Sequence, residues 1–185
     1  MTPEEIFTKL SSHAIKGFMV HEQLADYFDF LNLHGYKACH EYHARAEYLG
    51  LRKLHDFYIN TYNRLIPEER IENPSVIPTS WYRYSRQNVD AKTKRQAVKD
   101  AIEKWIEWET EARDLALAMS KELTAADDQL AADFVMEYAK DAAKELRWAH
   151  KKQIDFIAVD YSINFILGQQ DHYHDWYKHE MKKLK

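Results

Sequence analysis

Apolar residues recur at three- and four-residue intervals along four long stretches of this chain, the spacing of amphipathic helices. The first stretch runs from about Pro3 or Ser11 to Leu33, with a stripe of Ile15, Phe18, Glu22, Ala25 and Phe28. Thr2-Pro3-Glu4-Glu5 ahead of it supplies a capping hydroxyl, an early proline and acids in the first turn. After Gly35 the pattern resumes from about Lys37 to Leu65 through His43, Glu47, Leu51, Leu54, Tyr58, Tyr62 and Leu65, and Pro67 ends it. The third stretch, about Ala91 to Leu123, aligns Val98, Ile102, Trp105, Glu109, Ala112, Ala116, Met119 and Leu123. A break at Thr124, with Asp127 three positions on, predicts a capped start for the fourth. That stripe continues through Leu130, Phe134, Glu137, Asp141, Glu145 and Trp148.

Between the second and third stretches, residues 67–90 hold Pro67, Pro74 and Pro78 and sustain no period. A connection this long suits a crossover between two helical hairpins, and its Trp81-Tyr82-Arg83-Tyr84 cluster predicts that it is pinned to the bundle. The expected architecture is all-α: one domain over 1–185, a bundle core over about 11–152, and a C-terminal helix over about 153–185 beyond the fourth stretch.

Four carboxylates interrupt these stripes, one per helix: Glu22, Glu47, Glu109 and Asp141. Glu22 and Glu47 are equidistant from the His34–Gly35 region, and Glu109 and Asp141 from Ala125, so hairpin folding predicts that each pair meets at one height. Buried acids are costly unless paired, hydrogen-bonded or bound to a cation. One acid per helix converging inside a bundle is an arrangement that holds metal ions. His43 lies one turn before Glu47 on the same face, Glu145 one turn after Asp141, and His40 and His21 lie a turn away.

Composition narrows the class. Four glycines and four prolines in 185 residues permit long helices. A net charge of −4 gives no footprint for nucleic-acid binding. The single cysteine, Cys39, fits a reducing compartment, and the first residues lack a signal-peptide layout, so a cytoplasmic location is expected. No stretch reaches the ~20 apolar residues of a membrane-spanning helix. Twelve tyrosines and five tryptophans supply material for helix seams or for contacts between copies, so a homo-oligomer is expected.

The segments HEQLADYFDFLNL, HEYHARAEYLGLRKLH and WETEARDLALAMSKELTAADDQLAADFVMEYAKDAAKELRWAH resemble the helices of the ferritin-like superfamily over about residues 11–152. The resemblance implies a four-helix bundle of two antiparallel hairpins with a di-iron or di-manganese centre. Glu22, Glu47, Glu109 and Asp141 would hold it, joined by His43 and Glu145. The family's Glu-x-x-His pair is absent: Glu47 is followed by Tyr-Leu-Gly, Glu137 by Tyr-Ala-Lys and Glu145 by Leu-Arg-Trp. The motif is therefore atypical, with His43 standing in from the other side of Glu47.

Two functions follow as expectations. One is iron oxidation, iron storage or related oxidative chemistry, with Tyr27 or Tyr138 passing electrons. The other is a metal-free binding or assembly module, such as a phage or bacterial accessory protein, that keeps the bundle without the chemistry. Lesser features read as surface or packing: the His172, His174, Asp175, His179 group, adjacent Cys39 and His40, and the basic run Lys92, Lys94, Arg95, Lys99.

Overall fold

The structure is a computed structural model that describes residues 1–169 and 171–183. Helix α1 (Pro3–Phe30) opens with the expected capping box, Thr2 Oγ1 accepting from Glu5 N–H while the Glu5 carboxylate accepts from Thr2 N–H. Three residues, Leu31 to Leu33, reverse the chain into α2 (His34–Tyr62), and Asn32 takes the left-handed conformation at φ 61°. Asn63 caps α2 in the same region, at φ 54°.

The crossover runs back along α1. Ser12 donates to Glu69, Gln23 bonds Asn73, Pro74 and Val76, and Arg86 meets Asp29 at 2.6 Å. A short 3₁₀ turn, Thr79–Arg83, presents Trp81 edge-on to Tyr27 and Phe30. These contacts progress from the start of α1 to its end. The next helix, α3 (Ala91–Ala125), therefore begins beside the C-terminus of α1 and runs antiparallel to it, which also brings the Met1 amino group to Glu122.

Asp90 caps α3, accepting from Thr93 N–H at 2.7 Å. Thr124 is not the cap of the fourth helix: it lies inside α3 and donates to the Ser120 carbonyl, as hydroxyls do within helices. Asp128 caps α4 (Gln129–Ala158) instead, after Asp127 turns the chain at φ 62°. The fourth helix thus extends to Ala158, and two short helices follow, α5 (Ile163–Gln169) and α6 (Asp171–Met181), where one was expected. The end of α6 lies along α2, with the Tyr177 hydroxyl donating to Glu41 and Trp176 against Tyr42.

Two apolar clusters fill the bundle, one at each end. Ile6, Phe7, Leu10, Leu54, Tyr58, Met119, Leu123 and Val135 pack the end where the chain begins. Leu24, Phe28, Leu33, Tyr36, Val98, Ile102, Trp105 and Phe156 pack the other. Between them along each helix lies a polar layer: His40, His43 and Glu47 on α2, Glu109 on α3, Glu145 on α4, and Gly17 with His21 on α1. The layer is where the chemistry concentrates.

Candidate metal centre

Helix α1 faces the interior through Phe7, Leu10, Ala14, Gly17, His21, Leu24 and Phe28, all buried. This stripe is displaced by one residue, about 100° of helix rotation, from the one that contains Glu22. Phe18 and Glu22 are exposed as a result. Helix α4 shows the same displacement: Ala131, Val135, Ala139, Leu146 and Ala149 are buried, whereas Leu130, Glu137 and Asp141 are exposed. The stripes expected for α2 and α3 hold through the layer, and they carry His43, Glu47 and Glu109 inward.

The α1–α2 turn lies a few residues earlier than symmetric pairing of Glu22 with Glu47 requires. Opposite Glu47 stands Gly17, not an acid. The Glu47 carboxyl fills the space a side chain there would occupy: a Cβ on Gly17 would lie 2.7 Å from Glu47 Cδ and 3.0 Å from the Trp108 ring. The glycine is required for this close approach, since its conformational freedom is not used inside a helix. Gly17→Ala is expected to push the Glu47 carboxyl out of its seat while changing folding stability by less than about 1 kcal/mol, because a flexible side-chain end can yield. Divalent-metal affinity measured beside thermal unfolding checks this; a large loss of stability would mean that the carboxyl cannot move.

Three buried imidazoles line the layer. His21 stacks near His40 and His43, with ring centroids 5.4 and 5.1 Å away. His21 Nδ1 lies 3.1 Å from His40 Nδ1, so one ring donates to the other, and His21 Nε2 lies 3.5 Å from Glu109 Oε1. The Trp105 indole N–H donates to that same oxygen at 3.1 Å. Glu109, His21 and His40 thus stand in a row, the His21–His40 link a hydrogen bond and the His21–Glu109 link a longer charge contact. His43 Nδ1 faces Glu145 Oε2 at 3.6 Å. The Nε2 atoms of His40 and His43 are buried without a hydrogen-bond partner among the described residues.

Burial sets the charge state of this cluster. It pushes Glu47 and Glu109 up to about 8 and Glu145 up to about 7. The negative charge of Glu109 adds to the shifts of Glu47 and Glu145, while the Trp105 hydrogen bond restrains that of Glu109 itself. Trp108 pulls Glu47 down weakly, its indole N–H falling short of a full hydrogen bond. Burial drives His21 down to about 3 and holds His40 and His43 well below the usual imidazole range. Without a cation, the interior favours neutral acids facing neutral imidazoles.

The layer therefore gathers His43, Glu47 and Glu109, places Glu145 half-buried at its flank, and leaves Glu22 and Asp141 outside. Glu22 lines a groove with Glu41, Arg45 and Tyr48, where burial and then the negative charges of Asp26 and Glu41 raise its carboxyl. His21 and His40, a turn from the expected set, are central to it. The signal that marks them is their fit to the interior stripes of α1 and α2 once the registers are drawn through Phe7 and Phe28 and through Tyr36. Cys39 is buried, and burial raises its thiol far from a nucleophile's range. Tyr27 packs under Trp81, and the Tyr138 hydroxyl donates to the Gly50 carbonyl across the bundle. Arg95 and Lys99 of the basic run meet Asp160 and Glu103 as a mixed-charge surface. Asp175 and His179 are exposed, and the side chains of His172 and His174 lie outside the described residues.

Does this layer suit a metal ion? Among the described residues, no three His, Cys, Asp or Glu side chains form a ready-made ligand shell. The donor types nevertheless fit a divalent transition metal: imidazole nitrogens without partners, enclosed carboxyls, and no buried Lys or Arg among them to supply positive charge. The one buried lysine among the described residues, Lys152, pairs with Asp155 further along α4.

Fold and layer together define an all-α, ferritin-like bundle with histidine-rich polar contents. Solved structures bear out the fold. A humanized archaeal ferritin superposes with a TM-score of 0.75 at 15% identity, covering 92% of this chain and 93% of its own. Two PmFTN variants, from crystals soaked in iron, give TM-scores of 0.73 and 0.71 at 12% and 14% identity, each covering 90% of this chain and 95% and 96% of their own. No protein-family model matches the sequence, and no curated protein is significantly similar to it. No helix among the described residues is long and apolar enough to cross a membrane.

Proposed function

We propose that this ferritin-fold protein binds iron or manganese in its polar layer, with His40, His43, Glu47, Glu109 and Glu145 holding the metal and His21 supporting them. The observation that carries this reading is one polar layer, between two apolar clusters, that holds three buried imidazoles, two of them facing the carboxyls of Glu109 and Glu145, with Glu47 enclosed beside them. Such an interior is costly as neutral groups with unpartnered nitrogens, and a divalent cation offsets that cost by drawing on both donor types. The iron-soaked PmFTN relatives support the reading at the level of the fold. Iron bound there would supply one-electron redox chemistry suited to iron oxidation or storage.

The chain's own residues have distinct roles. Glu47 and Glu109 would hold the ion as carboxylates, and Trp105 orients Glu109 through its indole N–H. His21 sits between Glu109 and His40, placed to receive the proton that Glu109 would give up. The flanking apolar clusters exclude water from either end. Exposed Ile154, Ile157 and Phe165 offer apolar surface for contacts between copies, in line with a homo-oligomer.

A second reading, a metal-free assembly module, is favoured by the pairings His21–Glu109 and His43–Glu145, which partly satisfy the layer without any ion. Anaerobic titration with Fe(II) and with Mn(II), followed by element analysis and mass in solution, separates the two. At least one ion per chain is expected to bind, with affinity lowered more than tenfold by Glu109→Ala or His43→Ala and unchanged by Glu22→Ala or Asp141→Ala. Substoichiometric metal under both titrations would leave the assembly module as the function.

A further inference from the structure

A cavity lies beside the polar layer, between α4 and α6. Its volume is about 1140 Å³, enough for a small organic molecule with its hydration. Its lining mixes cations with aromatic rings: Lys144, Arg147 and Lys151 along α4, with Tyr42, Trp148 and Trp176. Trp148 and Trp176 contact each other, with ring centroids 5.3 Å apart, and Tyr42 touches Trp176 at 5.4 Å.

The charges on this wall do not cancel. Asp155 is engaged by buried Lys152 at 3.0 Å, and Glu180 by Lys183. Glu145 is turned to His43. Lys144 acts on the neighbouring Glu145 carboxyl, whereas Arg147 and Lys151 form no ion pair among the described residues, so two cations face the cavity without a carboxylate partner. Lys152, only 4% exposed, adds a built-in cation at the same wall. Cations beside indole faces form a recognition surface for planar anions, because the ring stacks while the acid group meets ammonium or guanidinium.

We propose that this cavity is a binding site for a small aromatic carboxylate, its ring held by Trp148 and Trp176 and its acid group by Arg147 and Lys151. The site abuts the polar layer through two residues. Glu145 lines the cavity and faces His43, while Trp148 contacts both His43 and Trp105 at 5.7 and 5.2 Å. A bound aromatic acid would therefore lie one side chain from the candidate metal residues. Its role as a reactant there rests on the metal reading; its binding does not.

The test uses metal-free full-length protein in EDTA, so that loss of the metal reading and loss of this one are told apart. Calorimetric titration with 2-naphthoate is expected to give saturable binding at one site per chain. Affinity should fall at least tenfold in the Arg147→Glu, Lys151→Glu double variant and in Trp176→Ala. These positions are exposed, and circular dichroism would confirm that each variant keeps its fold. The cationic analogue 2-naphthylmethylammonium and the non-aromatic cyclohexanecarboxylate should each bind at least tenfold more weakly than 2-naphthoate. Absence of saturable 2-naphthoate binding, equal affinity for the cationic analogue, or indifference to the folded charge-reversed variant would each overturn the proposal.

Discussion

Replacing Trp105 with alanine is expected to lower folding stability by about 3–5 kcal/mol, the range for deleting a large buried aromatic side chain. The indole is fully buried, packs on His40, His43 and Trp148, and donates to Glu109. Trp105→Phe divides the effect. It keeps much of the ring contact but removes the N–H, so it should cost about 1–2 kcal/mol, near the net value of a hydrogen bond to an acidic group. The same change should raise the Glu109 carboxyl further, since the lost hydrogen bond is what restrains it. Urea unfolding of both variants checks the first part, and carboxyl titration by NMR the second. An alanine variant as stable as the parent would mean that the layer collapses around the missing ring.

The pH dependence of the metal-free protein should be the second large effect. Glu47 and Glu109 have folded values near 8 against 4.5 when unfolded, so their contribution is fullest below 4.5 and is lost as pH rises toward 8. His21 and His13 run the other way: folded values near 3 and 4 against 6.5 mean that stability falls as pH drops below 6.5. The two limbs leave a maximum at mildly acidic pH. In EDTA, the melting temperature at pH 8.5 should lie below that at pH 6 by roughly 5 °C or more. Glu47→Gln with Glu109→Gln should flatten the alkaline limb. Saturating Mn(II) should reverse that limb in the parent, because metal takes the carboxylates in their charged form. An alkaline limb that survives the double substitution would assign it to other groups.

The helices and their pairing were legible in the sequence because long three- and four-residue periods and a proline-rich gap leave few alternatives. The site was legible on two helices of four. On α2 and α3 the apolar stripe is narrow enough to name His43, Glu47 and Glu109. On α1 and α4, several stripes one residue apart are almost equally apolar, and only the stripe that contains an acid turns Glu22 and Asp141 inward. A rotation of 100° was enough to mislead. The residue that does face Glu47 is Gly17, which carries no chemical signature and matters only through the space it leaves. His21 and His40 stood in view, but two histidines on different helices say nothing of meeting until the turn between them is placed.

The polar layer has a mechanical consequence as well. It interrupts the apolar adhesion along the bundle, so the two ends are held to each other mainly by helix continuity and by whatever joins the side chains at the waist. An ion there would act as a weld. With it, the halves would unfold as one cooperative unit; without it, each end would be free to fray on its own, and amide exchange would report two protection levels along every helix in place of one.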